Sequence, residues 1–434
     1  MRLARVAPEA VRSPEGQPGA AYLRLLLVLL ASASFFDGYD NEVSSLLLTN
    51  VQHSFGASVT TLGLIHIPIA AGQFVAFFAV FASDRIGRRP LLCWTILGYT
   101  AFTVATAFSF SIWAFAGFQF GAQTFTAAEF AVAVALVVEE FPAERRGRAL
   151  GTLLAMAPLG AVAVGLLSAV HLQNGPYSWR PFYLVGVIPL LAVGLARRRL
   201  RESWRFSARR TLLFGGGLAG AGRLRPKDLL SAWRPPHRHL LIAVGLLSFC
   251  QALPVAVGTA WWPYYAEHTQ HFSVTLVSIM FIAAAAFGIG GYYSSGRLME
   301  RIGRRPTAAI YVSLTIVFGI ALFQVQGRVV SFVALVGAVF FGLGIGPVLT
   351  AFATELFPTE IRAQAASWAR NVFASAGMLI GPTLVGVLGA SGGLIGSIGD
   401  TATLLVVVAV PGLWIIWRAL PEARGRDLAE LAAA

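Results

Sequence analysis

Asp37, Asp40, Glu42 and Glu129 are acids set in strongly apolar surroundings, where an ionised carboxylate is costly unless it is neutralised or lines a wet cavity. Asp37 and Asp40 stand three residues apart in Phe36-Asp37-Gly38-Tyr39-Asp40, so a helix puts both on one face. Two close carboxylates raise each other's affinity for a proton, which is the chemistry of loading and releasing one. The alternative is a helix that ends earlier and leaves Asp40 and Glu42 solvated at its mouth. Glu129 precedes the acidic pair Glu139-Glu140 by about ten residues, roughly 15 Å of helix, and is expected inside the apolar layer. It suits either a third proton-carrying role or a structural pairing with a Gln, Tyr or Arg. Three amides in apolar stretches, Gln73, Gln119 and Gln123, are candidates to hydrogen-bond a small solute. Tyr39 and the cluster Trp261-Trp262-Pro263-Tyr264-Tyr265 supply rings for stacking, with Trp261, Trp262 and Tyr265 the candidates for contact; the same cluster also suits the aromatic belt of a membrane interface. No metal-ligand cluster, nucleophile triad or phosphate-binding loop accompanies them, so neither enzyme chemistry, nor a metal, nor a cofactor is expected.

The elements that must position these groups follow from composition. Of 434 residues, 56% are hydrophobic and 12% charged, against about 25% charged in soluble domains. Charges fall in short clusters between apolar stretches, each long enough to cross roughly 30 Å of hydrocarbon. Twelve such stretches are expected, at 22–48, 61–82, 91–109, 112–138, 150–170, 182–196, 240–265, 275–295, 307–325, 329–353, 366–389 and 402–417. The net charge of +13 does not imply nucleic acid, because the basic clusters are loop-sized and lack interleaved aromatics. With a cytoplasmic N-terminus, only Arg180 and Arg328 fall in external loops, which is the positive-inside asymmetry. Cys93 and Cys250 lie in or near apolar spans, and no disulfide is expected.

An internal repeat adds evidence independent of hydropathy. Asp84-Arg85-Ile86-Gly87-Arg88-Arg89-Pro90 recurs as Glu300-Arg301-Ile302-Gly303-Arg304-Arg305-Pro306, and Glu139-Glu140-Phe141-Pro142 recurs as Glu355-Leu356-Phe357-Pro358. Both pairs share an offset of 216 residues, so the chain reads as six spans followed by six. Two parallel repeats with a site between them at the membrane midplane are a transporter architecture.

In these residues the chain resembles the major facilitator superfamily over nearly its whole length. The Asp84 to Arg89 segment and its copy look like the family's loop signature between the second and third helices of each half, and Glu139-x6-Arg146 and Glu355-x6-Arg362 repeat its Glu-x6-Arg spacing. The resemblance implies a cytoplasmic gate of Asp84, Arg88, Glu139, Arg146, Glu300, Arg304, Glu355 and Arg362, in which carboxylate and guanidinium clip the two bundles together reversibly. Pro421-Glu422-Ala423-Arg424-Gly425 is similar to a tail motif of sugar porters, whereas the helix-seven signature of those porters is missing around Gln251. The Asp37 element resembles that of aromatic-acid and metabolite:proton symporters; the Arg often seen near the start of their fourth helix has no counterpart at Gly117 to Gly121.

The implied fold is an all-α integral membrane protein of twelve transmembrane helices in two six-helix pseudo-repeat bundles. The expected divisions are a disordered cytosolic tail over 1–20, a bundle over 21–196, a cytosolic loop over 197–239, a second bundle over 240–418 and a cytosolic tail over 419–434. The expected protein is a multi-pass inner (plasma) membrane transporter, monomeric, with both termini cytoplasmic and lipid as its surroundings. It moves a small organic solute by alternating access, proton-coupled through Asp37, Asp40 and Glu129. An uncoupled facilitator and an efflux antiporter are the alternatives.

Overall fold

Hydrocarbon offers no partner for a backbone N–H or C=O, so a chain that crosses it satisfies those groups within helices. The computed structural model describes residues 19–141, 143–170, 178–198, 200 and 231–422, and these form twelve long helical elements. The expected N-terminal tail, most of the inter-bundle segment and most of the C-terminal tail lie outside the described residues.

In the first half the helices are α1 (Ala20–Leu46), α2 (Val59–Ile86), α3 (Arg88–Ala107), α4 (Ile112–Glu140), α5 (Ala143–Val170) and α6, which runs as Arg180–Val185 and Val187–Arg197. A short piece, Leu48–Phe55, continues α1 past a break at Leu47. In the second half they are α7 (Pro235–His268), α8 (Val274–Ile302), α9 (Arg304–Gln324), α10 (Arg328–Gly344 and Gly346–Glu355), α11 (Thr359–Leu388) and α12 (Ile398–Val407 and Val410–Arg418). Serine caps fix several starts: Ser111, Ser273 and Ser397 accept hydrogen bonds from the amides of Ala114, Leu276 and Asp400. Eleven stretches among the described residues are long and apolar enough to span a membrane. The twelfth element, α4, is not among them and carries Gln119, Gln123 and Glu129 along its length. Broad apolar side chains such as Trp94, Ile188, Val329 and Trp414 face outward, as lipid contact requires.

Packing repeats from one half to the other in the register of the 216-residue offset. The pairs α1/α5, α2/α4, α3/α4 and α3/α6 in the first half recur as α7/α11, α8/α10, α9/α10 and α9/α12 in the second. The halves meet through α2 against α11, α5 against α8 and α1 against α7. Many of the side-chain bonds that join them cluster at the face opposite the Arg-rich loops. There Thr49 donates to Glu267 at 2.7 Å, Ser45 donates to the carbonyl of Thr259, and Ser168 and Ser278 share a hydrogen bond of 2.9 Å. At that face α2 and α11 touch backbone to backbone. A Cβ on Gly63 would stand 2.7 Å from the Cα of Gly386, so only glycine allows the approach.

α11 is irregular. Trp368–Ala374 is a π-helical segment between α-helical pieces, a wide turn that accommodates an inserted residue and is frequent at functional sites.

Candidate functional site

A cavity of about 310 Å³ lies between the halves, within the size range of small-ligand sites. α1 contributes Ser34, Asp37, Asn41 and Glu42, and α4 contributes Phe130. From the second half come Thr259 of α7, Tyr292 of α8, Phe323 of α9 and Arg370 of α11. Asp37, Glu42 and Arg370 are the charged groups among its described lining residues; most of the remainder is apolar.

The π-helical turn places Arg370 in the cavity. Its guanidinium lies 4.3 Å from the ring centroid of Phe130, a cation–π contact that crosses between the halves. It interacts electrostatically with Asp37 and Tyr292. Asp37 is held from behind by a chain of amides: Asn41 donates to its carboxylate at 3.0 Å, and Gln123 donates to Asn41 at 3.0 Å. A carboxylate from one half thus faces a guanidinium from the other across a mostly apolar chamber, with the carboxylate's orientation set by hydrogen bonds.

The other acids expected to carry protons are elsewhere. Asp40 turns into the first bundle, where it accepts from Thr103 at 3.2 Å and does not line the cavity. Glu129 sits behind the cavity wall, where it borders with Asp37 a void of about 10 Å³. Its carboxylate forms an ion pair with the fully buried Arg197 and accepts a hydrogen bond from Thr95. Arg197 also donates to the carbonyls of Leu92 at 3.0 Å and Leu29 at 2.9 Å, so the pair ties α1, α3, α4 and α6 together. Glu129 is thus paired with an arginine inside the first bundle and does not line the cavity.

None of the seven side chains expected to contact a solute lines the cavity, and packing explains each. Tyr39 donates to the carbonyl of Phe182 at 2.9 Å, and Gln119 donates weakly to Thr106 at 3.4 Å within the first bundle. Gln123 acts through Asn41, and Gln73 accepts from Ser375 at 3.0 Å to join α2 to α11. Trp261 is completely buried and donates to the carbonyl of Pro382 at 2.9 Å. Trp262 packs on Phe281, and Tyr265 donates to the carbonyl of Phe323 at 2.7 Å. Phe281 and Phe323 do line the cavity, so this cluster backs its wall instead of forming it. The residues missed are Arg370, Asn41, Phe130 and Tyr292. Arg370 carried a signal, since it is the isolated cation of the second half's apolar spans.

At the Arg-rich face, the Arg304 guanidinium pairs bidentately with Glu355, with both bonds at 3.0 Å. This pair joins the start of α9 to the end of α10 within the second bundle; it does not clip the two bundles together as expected. Glu422 accepts from the amides of Arg304 at 2.8 Å and Arg305 at 2.9 Å, which caps the positive end of α9 with a carboxylate. Glu300 is exposed and Arg88 is buried. The side chains of Asp84, Glu139, Arg146 and Arg362 lie outside the described residues.

The family model described as Major Facilitator Superfamily matches residues 30–373. The chain belongs to that superfamily. It is a multi-pass membrane transporter of a small molecule, not an enzyme. Among sequence relatives, a probable 4-methylmuconolactone transporter of Cupriavidus pinatubonensis is 29% identical over 411 residues, covering 90% of this chain and 88% of the relative. A gallate transporter of Pseudomonas putida is 26% identical and covers 82% of this chain and 83% of its own length. Among solved structures, a D-xylose-proton symporter superposes with a TM-score of 0.74 at 18% identity, covering 94% of this chain and 100% of that one. This last likeness supports the twelve-helix superfamily fold.

Proposed function

We propose that this transporter is a proton-coupled symporter of small organic acids, working as a monomer in the inner membrane with both termini cytoplasmic. The observation that carries the reading is Arg370, a cation in a mostly apolar cavity facing Asp37 of the other half. A guanidinium in such a site binds a carboxylate bidentately. When a substrate carboxylate takes Arg370, Asp37 loses its counter-charge, and an unpaired buried carboxylate is costly. Protonation of Asp37 removes that cost, so substrate and proton load together. The two relatives are a gallate transporter and a probable 4-methylmuconolactone transporter, and both solutes are small cyclic molecules of a size that suits this cavity. In this reading the chain places a bundle on each side of an inter-bundle segment, with the Arg-rich loops facing the cytoplasm.

The test is gallate uptake into proteoliposomes. An inward proton gradient is expected to drive accumulation, and Asp37→Asn to abolish the gradient's effect while exchange survives. Gradient-driven accumulation in Asp37→Asn at the unmodified rate refutes the coupling. Equilibration without accumulation in the unmodified protein would make it a facilitator, and proton-driven extrusion an efflux antiporter.

A further inference from the structure

Glu42 has no part in the reading above, yet its side chain lines the same cavity. Its Oε1 is buried and has no hydrogen-bond partner among the described residues. Buried polar atoms are nearly always satisfied, so an unpartnered carboxyl oxygen on a residue that lines the chamber marks a place where a ligand can supply the missing donor. Arg370 is the basic group among the described lining residues, and the Asp37 carboxylate faces it. Among the described lining residues Glu42 therefore has no cation of its own.

Position along α1 gives the spacing. Glu42 follows Asp37 by five residues, about 7.5 Å of axial rise at 1.5 Å per residue. The cavity thus has a cationic pole level with Asp37 and an acceptor pole one to two turns nearer the face where the halves are joined by Ser45 and Thr49. The cavity wall also includes Val255, Phe281, Leu322 and Phe323. A flat apolar body fits there, with a carboxylate at one end and a hydrogen-bond donor at the other, separated by about the length of a para-substituted ring.

We infer that Glu42 is a specificity-determining residue that accepts a hydrogen bond from a donor group on the end of the substrate remote from its carboxylate. The inference rests on the organic-acid reading. Binding is measured as ligand-induced thermal stabilisation of the detergent-purified protein, with benzoate and 4-hydroxybenzoate as probes. The unmodified protein is expected to bind the hydroxylated acid roughly tenfold to a hundredfold more tightly than benzoate. Glu42→Leu is expected to bring the two within about threefold by weakening 4-hydroxybenzoate while benzoate is unchanged. Glu42→Gln, which keeps the shape and a carbonyl acceptor, should retain part of the preference, and it carries the test if the leucine variant does not fold. Equal binding of both acids by the unmodified protein, or a full preference surviving in Glu42→Leu, overturns the role of Glu42 and leaves the organic-acid reading intact. No stabilisation by either acid overturns that reading and the inference with it.

Discussion

The Glu129–Arg197 pair makes a claim about energy that a double-mutant cycle decides. Arg197 is completely buried and Glu129 nearly so, and the guanidinium also holds two backbone carbonyls of neighbouring helices. Removing one partner of a buried pair strands the other charge and costs about 3–5 kcal/mol. Glu129→Leu and Arg197→Met are each expected to lower stability by that amount. The double variant strands no charge, and apolar replacement of a whole buried pair is often neutral or better, so its loss should stay within about 2 kcal/mol. The helix carbonyls released at Leu29 and Leu92 retain their places in the helical ladder and add little. The assay is denaturant unfolding of the detergent-purified protein followed by tryptophan fluorescence, supported by the 10 tryptophans. A double variant whose loss equals the sum of the singles refutes an energetic pair. A Glu129→Gln variant of full stability that has lost gradient-driven uptake refutes the structural role and restores Glu129 as a proton carrier.

Three further outcomes follow from particular contacts. Gly303 has φ of +101°, and a Cβ there would meet the Glu422 carboxylate at 2.8 Å; Gly303→Ala is expected to cost about 1–3 kcal/mol in the same unfolding assay. Glu422→Gln keeps the shape of the cap on α9 but removes its charge and should cost roughly 1 kcal/mol, an effect that shrinks with added salt. Gly386→Val places a branched side chain where α2 and α11 touch, which should hold that face apart and make a cysteine at Thr49 more reactive to a soluble maleimide; unchanged labelling refutes the seam.

The spans and the two-fold repeat were legible because their causes are local. About 20 apolar residues are needed to cross hydrocarbon, and a duplication preserves its register in the loops. Asp37 was legible for the same reason, since a carboxylate in an apolar stretch is exceptional. What the sequence hid was direction around each helix. A helix apolar on all sides gives no amphipathic stripe to orient it, so Gln119 and Gln123 could not be told from cavity residues. The aromatic cluster of α7 misled through size: large rings suit ligands and bundle interiors equally, and here the interior took them. Arg370 was visible as an isolated charge, but its electrostatic pairing across the cavity with Asp37 joins positions in different halves, and no local pattern encodes that. The bidentate pair of Arg304 and Glu355 shows the converse, as the right residues met within one bundle instead of between two.

The wide turn at Trp368–Ala374 means that the two ends of α11 are out of phase with each other. Arg370 lies within that turn, while Gly386, which rests on α2, lies on the regular piece beyond it. A single-residue deletion in the turn would rotate one end against the other by about 100°, one residue's share of an α-helical turn. Chain length at this point therefore acts as a dial on the cation's aim. A related sequence can re-aim its cation by gaining or losing one residue here, and it need not redesign the surface on which the two halves close.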